Sequence, residues 1–126
     1  MTNGSILLVE DEQIVASDLK MTLEQLGYTV PVICKSGEEA LAVVPEIMPD
    51  MALVDIILAG QMDGIETAEQ IRKKYDIPFI YLTAHTDQNT IERAKITEPF
   101  GYIIKPFNEK ELQSTLTMAF YKSKMD

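Results

Sequence analysis

The sequence predicts an α/β domain, five parallel strands alternating with five helices in a three-layer sandwich. Three observations carry this. Short apolar runs, aliphatic or β-branched and nearly continuous, recur at residues 6–9, 29–34, 51–54, 79–82 and 102–104. That is the pattern of strands buried on both faces of a parallel sheet. Longer stretches at helical spacing separate them. Finally, Pro31 lies inside the second run, and proline is tolerated in sheets mainly at edges. With right-handed crossovers, an edge position for strand 2 selects the flavodoxin-like order 2-1-3-4-5.

Each helix has its own signals. Ile14, Val15, Leu19, Leu23 and Leu26 keep helical spacing, and Gly27 follows as a stop. Ser36 with Glu39 reads as a capping box opening the second helix. Pro45 should kink or shorten that helix. Asp63 with Glu66 opens the third, which continues through Ile71, and Asn108 with Glu111 opens the last. There, Leu112, Leu116 and Phe120 share one face.

Length and composition bound the function. The 126 residues suit one domain, 1–126, with a core that needs no staples. One cysteine, Cys34, excludes an intramolecular disulfide and a cysteine-rich zinc site. Its expected role is packing in or beside the edge strand. One histidine, His85, excludes a histidine-cluster metal site. The net charge of −9 disfavours nucleic acid and anionic membrane as partners. The basic run Arg72-Lys73-Lys74 falls where cations complement a helix C-terminus. No stretch has the roughly 18 apolar residues of a membrane helix, and no signal peptide is evident. A cytoplasmic location is the default expectation.

In open α/β sheets, sites form at the carboxyl ends of the strands. The first strand ends in Glu10-Asp11, the third in Asp55, the fourth in Thr83-Ala84 and the fifth in Lys105-Pro106. In the order 2-1-3-4-5 these ends converge on one shallow pocket holding three carboxylates, a hydroxyl and an ammonium. Two like charges about 4 Å apart cost on the order of 4 kcal/mol at an effective dielectric near 20. Lys105 offsets only part of that repulsion, and a divalent cation resolves it. An all-oxygen donor set suits Mg²⁺ or Mn²⁺ over zinc or copper.

With these residues in place, the sequence resembles the receiver domain of two-component response regulators. The motifs are ILLVEDE (6–12), LVDIIL (53–58), MDGIE (62–66), YLTA (81–84) and GYIIKPF (101–107), in family order across essentially the whole chain. The resemblance implies that Asp55 is the phosphoacceptor. It implies Asp11 and Asp55 as direct Mg²⁺ ligands, with the backbone carbonyl of Ile57 beside them. Glu10, where the family often has aspartate, would ligate through water. Thr83 would bond the phosphoryl group, Lys105 would pair with it, and the Lys105–Pro106 bond would be cis. Tyr102 matches the switch aromatic, to rotate into space vacated by Thr83. Helix 4, strand 5 and helix 5 would form the responding surface. The implied partners are a sensor histidine kinase or histidine phosphotransfer domain, docking near Ile14, Val15 and Pro106-Phe107, and a downstream effector protein. The chain itself would be a monomer or a weak phosphorylation-dependent dimer.

Some features depart from the commonest pattern. After Asp55 the chain reads IILAGQMDG, with Ala59-Gly60 where many receivers have proline and one extra residue before Met62. That loop is expected to be more mobile. The resemblance implies that the positions of Ile57 and His85 tune phosphoryl loss; apolar Ile57 cannot orient an attacking water whereas His85 could, although the expected role of His85 is that of an exposed loop histidine. The residues after Phe107 suffice for one helix and no output domain, so the reading is a stand-alone receiver or one excised from a longer chain. Two other classes compete: a pseudo-receiver that binds partners unphosphorylated, and an aspartate-nucleophile phosphohydrolase. The haloacid dehalogenase type of hydrolase needs a second Asp where Ile57 stands.

Overall fold

The five apolar runs form a single parallel sheet with strand order β2-β1-β3-β4-β5, as expected. The structure, a computed structural model, describes residues 3–58, 60–84 and 88–125. Along the chain the elements are β1 (Ile6–Val9), α1 (Gln13–Gln25), β2 (Ile33–Cys34), α2 (Gly37–Ile47), β3 (Met51–Asp55), α3 (Gly64–Tyr75), β4 (Phe79–Thr83), α4 (Gln88–Ile96), β5 (Tyr102–Ile104) and α5 (Glu109–Met125). Among the described residues no helix is long and apolar enough to cross a membrane.

Strand alternation explains why the apolar runs are continuous. Leu7, Val9, Ala52, Val54, Phe79 and Tyr81 face one way, onto Ala40 and Val44 of α2, Ile65, Ala68 and Ile71 of α3 and Ala94 of α4. Ile6, Leu8, Met51, Leu53, Ile80, Leu82 and Ile103 face the other, onto Ala16, Leu19 and Leu23 of α1 and Leu112, Leu116 and Ala119 of α5. Each fully buried Val, Leu, Ile, Phe or Met side chain contributes about 1.5–3 kcal/mol by leaving water.

The second strand is shorter than its apolar run. Regular pairing is confined to Ile33 and Cys34. Upstream, Ser5 bridges Thr29, and the Ile6 N–H donates to the Thr29 carbonyl at 2.8 Å. Pro31 lies between these two anchor points; it has no N–H, so the ladder is interrupted there. The edge placement inferred from Pro31 is correct, and the run length of 29–34 is corrected by the same residue.

The caps follow the sequence with one variation. Asp63 and Glu66 form the complete reciprocal box. The Glu111 N–H donates to Asn108 Oδ1 at 2.7 Å. At α2 the Glu39 N–H donates to Ser36 Oγ, but the Glu39 carboxylate accepts from the Lys35 N–H instead of that of Ser36. Pro45 lies inside α2, which ends two residues later at Ile47 and is capped by the left-handed Met48. Arg72, Lys73 and Lys74 occupy the last turn of α3.

Cys34 is fully buried, and burial, helped by the Glu39 charge, pushes its thiol up to about 12. Almost no thiolate exists at pH 8, and thiolate is the reactive species. Native protein is therefore expected to resist a thiol-disulfide reagent at pH 8 and to react at once in urea. Native reaction at the unfolded rate would contradict the packing role.

Candidate functional site

The chain passes from β1 to β2 on one side and then to β3 on the other, so the strand order reverses between β1 and β3. A crevice opens beyond the carboxyl ends at such a point. Register sets its lining. Val9 pairs with Val54, so the next residues, Glu10 and Asp55, leave the sheet side by side. Asp55 pairs with Leu82 and Thr83 with Ile104, which brings Thr83 and Lys105 to the same rim. The Lys105 N–H donates to the Thr83 carbonyl at 2.8 Å, and the Lys105–Pro106 bond is cis.

At the centre is the Lys105 ammonium. Its Nζ lies 2.7 Å from Asp55 Oδ2, 2.6 Å from Glu10 Oε1 and 3.7 Å from Glu12 Oε1. The other oxygen of Asp55, Oδ1, accepts from the Ile57 N–H at 3.0 Å. Glu10 Oε2 accepts from the Glu12 N–H at 3.2 Å. Glu10 and Asp55 are both buried. Burial, and then the hydrogen bond with Asp55, push the Glu10 carboxyl up to about 7 against the opposing pull of Lys105. For Lys105 burial works downward, but the hydrogen bond to Asp55 and the adjacent Glu10 carboxylate outweigh it and hold the ammonium above its ordinary range.

This donor set fits a hard divalent cation. Carboxylate oxygens of Glu10, Asp11 and Asp55 lie within 4.8 Å of one another. Glu10 Oε1 is fully buried and contacts the ammonium at ion-pair distance without hydrogen-bond geometry, an acceptor with capacity to spare. Oxygen-only coordination by one or two carboxylates plus waters is the preference of Mg²⁺. A cavity of about 310 Å³ lies over the cluster, lined by Asp11, Glu12, Asp55, Ile57, Thr83, Ala84 and Lys105.

Thus the structure brings Glu10, Asp11, Asp55, Ile57, Thr83 and Lys105 together. Tyr102 stands apart, on the neighbouring edge strand. Alternation puts Thr83, Tyr81 and Tyr102 on the face towards α4, opposite to that of Asp55. The Tyr81 and Tyr102 rings lie 6.1 Å apart, and Tyr102 is 39% exposed. Ile14, Val15, Pro106 and Phe107 line a second cavity of about 580 Å³ next to the first, with Ile14 86% exposed. His85 and Ala59 lie outside the described residues. The rest of the long loop rests on α2: a Cβ at Gly60, where φ is +105°, would meet Glu38 Oε1 at 3.2 Å, and one at Gly37 would meet Met62 at 3.2 Å.

Sequence reasoning missed two residues here. Glu12 reaches towards Lys105 as a further carboxylate, and it stood within the first motif. Gly64, at the start of α3, donates its N–H to the Ile56 carbonyl at 2.9 Å. A Cβ there would collide with the Asp55 carbonyl oxygen and approach Asp55 C and Ile56 Cα to 2.7 Å. Its signal was a glycine directly after a helix cap, where no turn requires one.

Residues 6–117 match the family model described as the response regulator receiver domain. The transcriptional regulatory protein PdtaR of Mycobacterium tuberculosis is 30% identical over 114 residues, covering 90% of this chain and 55% of PdtaR. The transcriptional regulatory protein YvrH of Bacillus subtilis is 34% identical over 116 residues, 92% of this chain and 48% of YvrH. The chain therefore spans about half the length of the curated relatives it matches. Among solved structures, the signal receiver domain of a modulated diguanylate cyclase from Desulfovibrio desulfuricans superposes with a TM-score of 0.93 at 41% identity, covering 97% of both chains. The N-terminal domain of a response regulator/sensory box/GGDEF protein from Carboxydothermus hydrogenoformans gives 0.85 at 34% identity, over 97% of this chain and 99% of that one.

Proposed function

Since the chain belongs to the response regulator receiver domain family, we propose that it is a phosphorylation-dependent switch. It accepts a phosphoryl group on Asp55 from a phosphohistidine of a sensor histidine kinase or histidine phosphotransfer domain. The observation that supports this best is the environment of Asp55: one carboxylate oxygen held by Lys105, the other by the Ile57 N–H, and two further carboxylates within metal-binding reach.

An oxygen of Asp55 forms the new P–O bond while the P–N bond to the donor imidazole breaks, the imidazole keeping the electron pair. Catalysis of such a transfer is positioning plus charge stabilisation. Asp11, Asp55 and the Ile57 carbonyl would hold Mg²⁺, or Mn²⁺, with Glu10 acting through water. Once bound, the cation neutralises the charge that the phosphoryl oxygens would otherwise press against Asp55. Lys105 pairs with one phosphoryl oxygen and the Thr83 hydroxyl bonds another. The added charge of about −1.5 to −2 draws Thr83 towards the pocket. Tyr102, on the same face, then turns inward. Exposed Ile96, Tyr102, Ile104, Met118 and Tyr121 make the surface of α4, β5 and α5 an apolar platform for a downstream effector protein. The cavity of Ile14, Val15 and Phe107 beside the pocket suits the phosphate donor's docking helix.

The test is intact mass after incubation with acetyl phosphate. One added phosphoryl group is expected with Mg²⁺ and none with a chelator. No adduct under either condition favours the pseudo-receiver, and sustained turnover of many phosphate esters favours a hydrolase. Mg²⁺ at 100 times its Kd should stabilise the native state by about 2.7 kcal/mol. Asp11→Ala is expected to abolish most of the accompanying rise in Tm.

A further inference from the structure

Of the nine residues of α4, Ala94 is the buried one, and Ile91 and Ile96 are exposed. Side-chain ties hold this helix in place. Just beyond its C-terminus the Thr97 hydroxyl lies 2.6 Å from that of Tyr81. From its middle, Arg93 Nη2 donates to Asp63 Oδ2 at 3.0 Å.

Asp63 is where the loop that starts at Asp55 ends. Its Oδ1 accepts from the Glu66 N–H at 2.8 Å, its own N–H donates to Glu66 Oε1 at 3.2 Å, and the next residue, Gly64, bonds the Ile56 carbonyl. One oxygen of a single carboxylate therefore caps α3 at the point where the acceptor loop ends, and the other holds α4. We propose that Asp63 and Arg93 form a latch that reports the state of the Asp55 loop to α4, along a route separate from Thr83 and Tyr102. The latch rests on the reading of Asp55 as acceptor: a loop that reorganises around a phosphoryl group shifts Asp63 and loosens α4. Both side chains are partly exposed, so the pair is weak. A weak contact suits a switch, because it is lost for a small difference between two states.

The test is amide hydrogen exchange across residues 88–96 in wild type, Arg93→Gln and Asp63→Asn. Asparagine caps a helix as well as aspartate does, so Asp63→Asn removes the charge pair and leaves α3 capped. In chelator, both variants are expected to exchange α4 amides about two- to fivefold faster than wild type, the size of a surface ion pair, with α3 unchanged. High salt should shrink that difference. With Mg²⁺ and beryllofluoride as phosphoryl mimic, α4 of wild type should speed up and the variants should respond less. Wild-type exchange in both variants in chelator overturns the latch, as does an undiminished response to the mimic. A wild type that binds no mimic overturns the acceptor reading and the transmission with it. The comparison in chelator separately decides whether the pair holds α4.

Discussion

Gly64→Ala is expected to destabilise the protein by about 3 kcal/mol or more, the upper end of the overpacking range. The added methyl meets backbone: the Asp55 carbonyl oxygen in collision, Asp55 C and Ile56 Cα at 2.7 Å. No rotamer change relieves such a clash, so the end of β3 or the start of α3 has to move. Either shift breaks the Gly64–Ile56 hydrogen bond and displaces Asp55 from Lys105. Gly101→Ala is the natural control. There the nearest atom is the side-chain Cγ2 of Thr115, at 2.9 Å, which can give way. Urea midpoints of the two variants check the contrast; equal midpoints would contradict it.

Lys105→Met is expected to cost the metal-free protein about 3 kcal/mol, the low end for breaking a buried ion pair. Its ammonium is the cation between Glu10, which is wholly buried, and Asp55, which is nearly so. Methionine keeps the length of the stem and removes the charge. The cost should also depend on pH. The Glu10 carboxyl already sits at about 7 in the fold, above its ordinary 4.5, and losing Lys105 raises it further. A group with a raised folded pKa favours the native state fully below its unfolded pKa and loses that contribution as pH rises through the folded one. The variant's deficit in chelator should therefore be larger at pH 8 than at pH 5. Saturating Mg²⁺ should recover part of it by replacing the missing positive charge. A deficit that is flat across this range would contradict the role of Lys105 as the neutralising group.

Much of the architecture could be read before any coordinates because the information is local and repeated. Strands buried on both faces must be apolar along their length; β1 is throughout, and β3 and β4 are up to their last residues, Asp55 and Thr83. Asp63 and Asn108 announce helix starts through contacts three residues away. The edge assignment of β2 came from one missing N–H at Pro31. Strand ends then pointed to Glu10, Asp11, Asp55, Thr83 and Lys105, because topology alone decides which ends meet.

The features that stayed hidden depend on approach between distant segments. Spacing does not reveal that Gly64 must touch the backbone of Asp55, or that Arg93 reaches Asp63 across thirty positions. At Ser36 the local signal was right about the cap and wrong about the return contact. The Glu39 carboxylate reaches one residue further, to the Lys35 N–H, a choice that depends on how the chain enters the helix from β2.

The most direct measurement is where a phosphoryl group lands. Wild type and Asp55→Asn would be treated with acetyl phosphate and Mg²⁺, reduced with borohydride to convert any acyl phosphate to the alcohol, digested and mapped by tandem mass spectrometry. The expected result is modification at position 55 of wild type and none in the variant. Modification at Glu10, Asp11 or any other carboxylate, with Asp55 untouched, would contradict the assignment of Asp55 as acceptor.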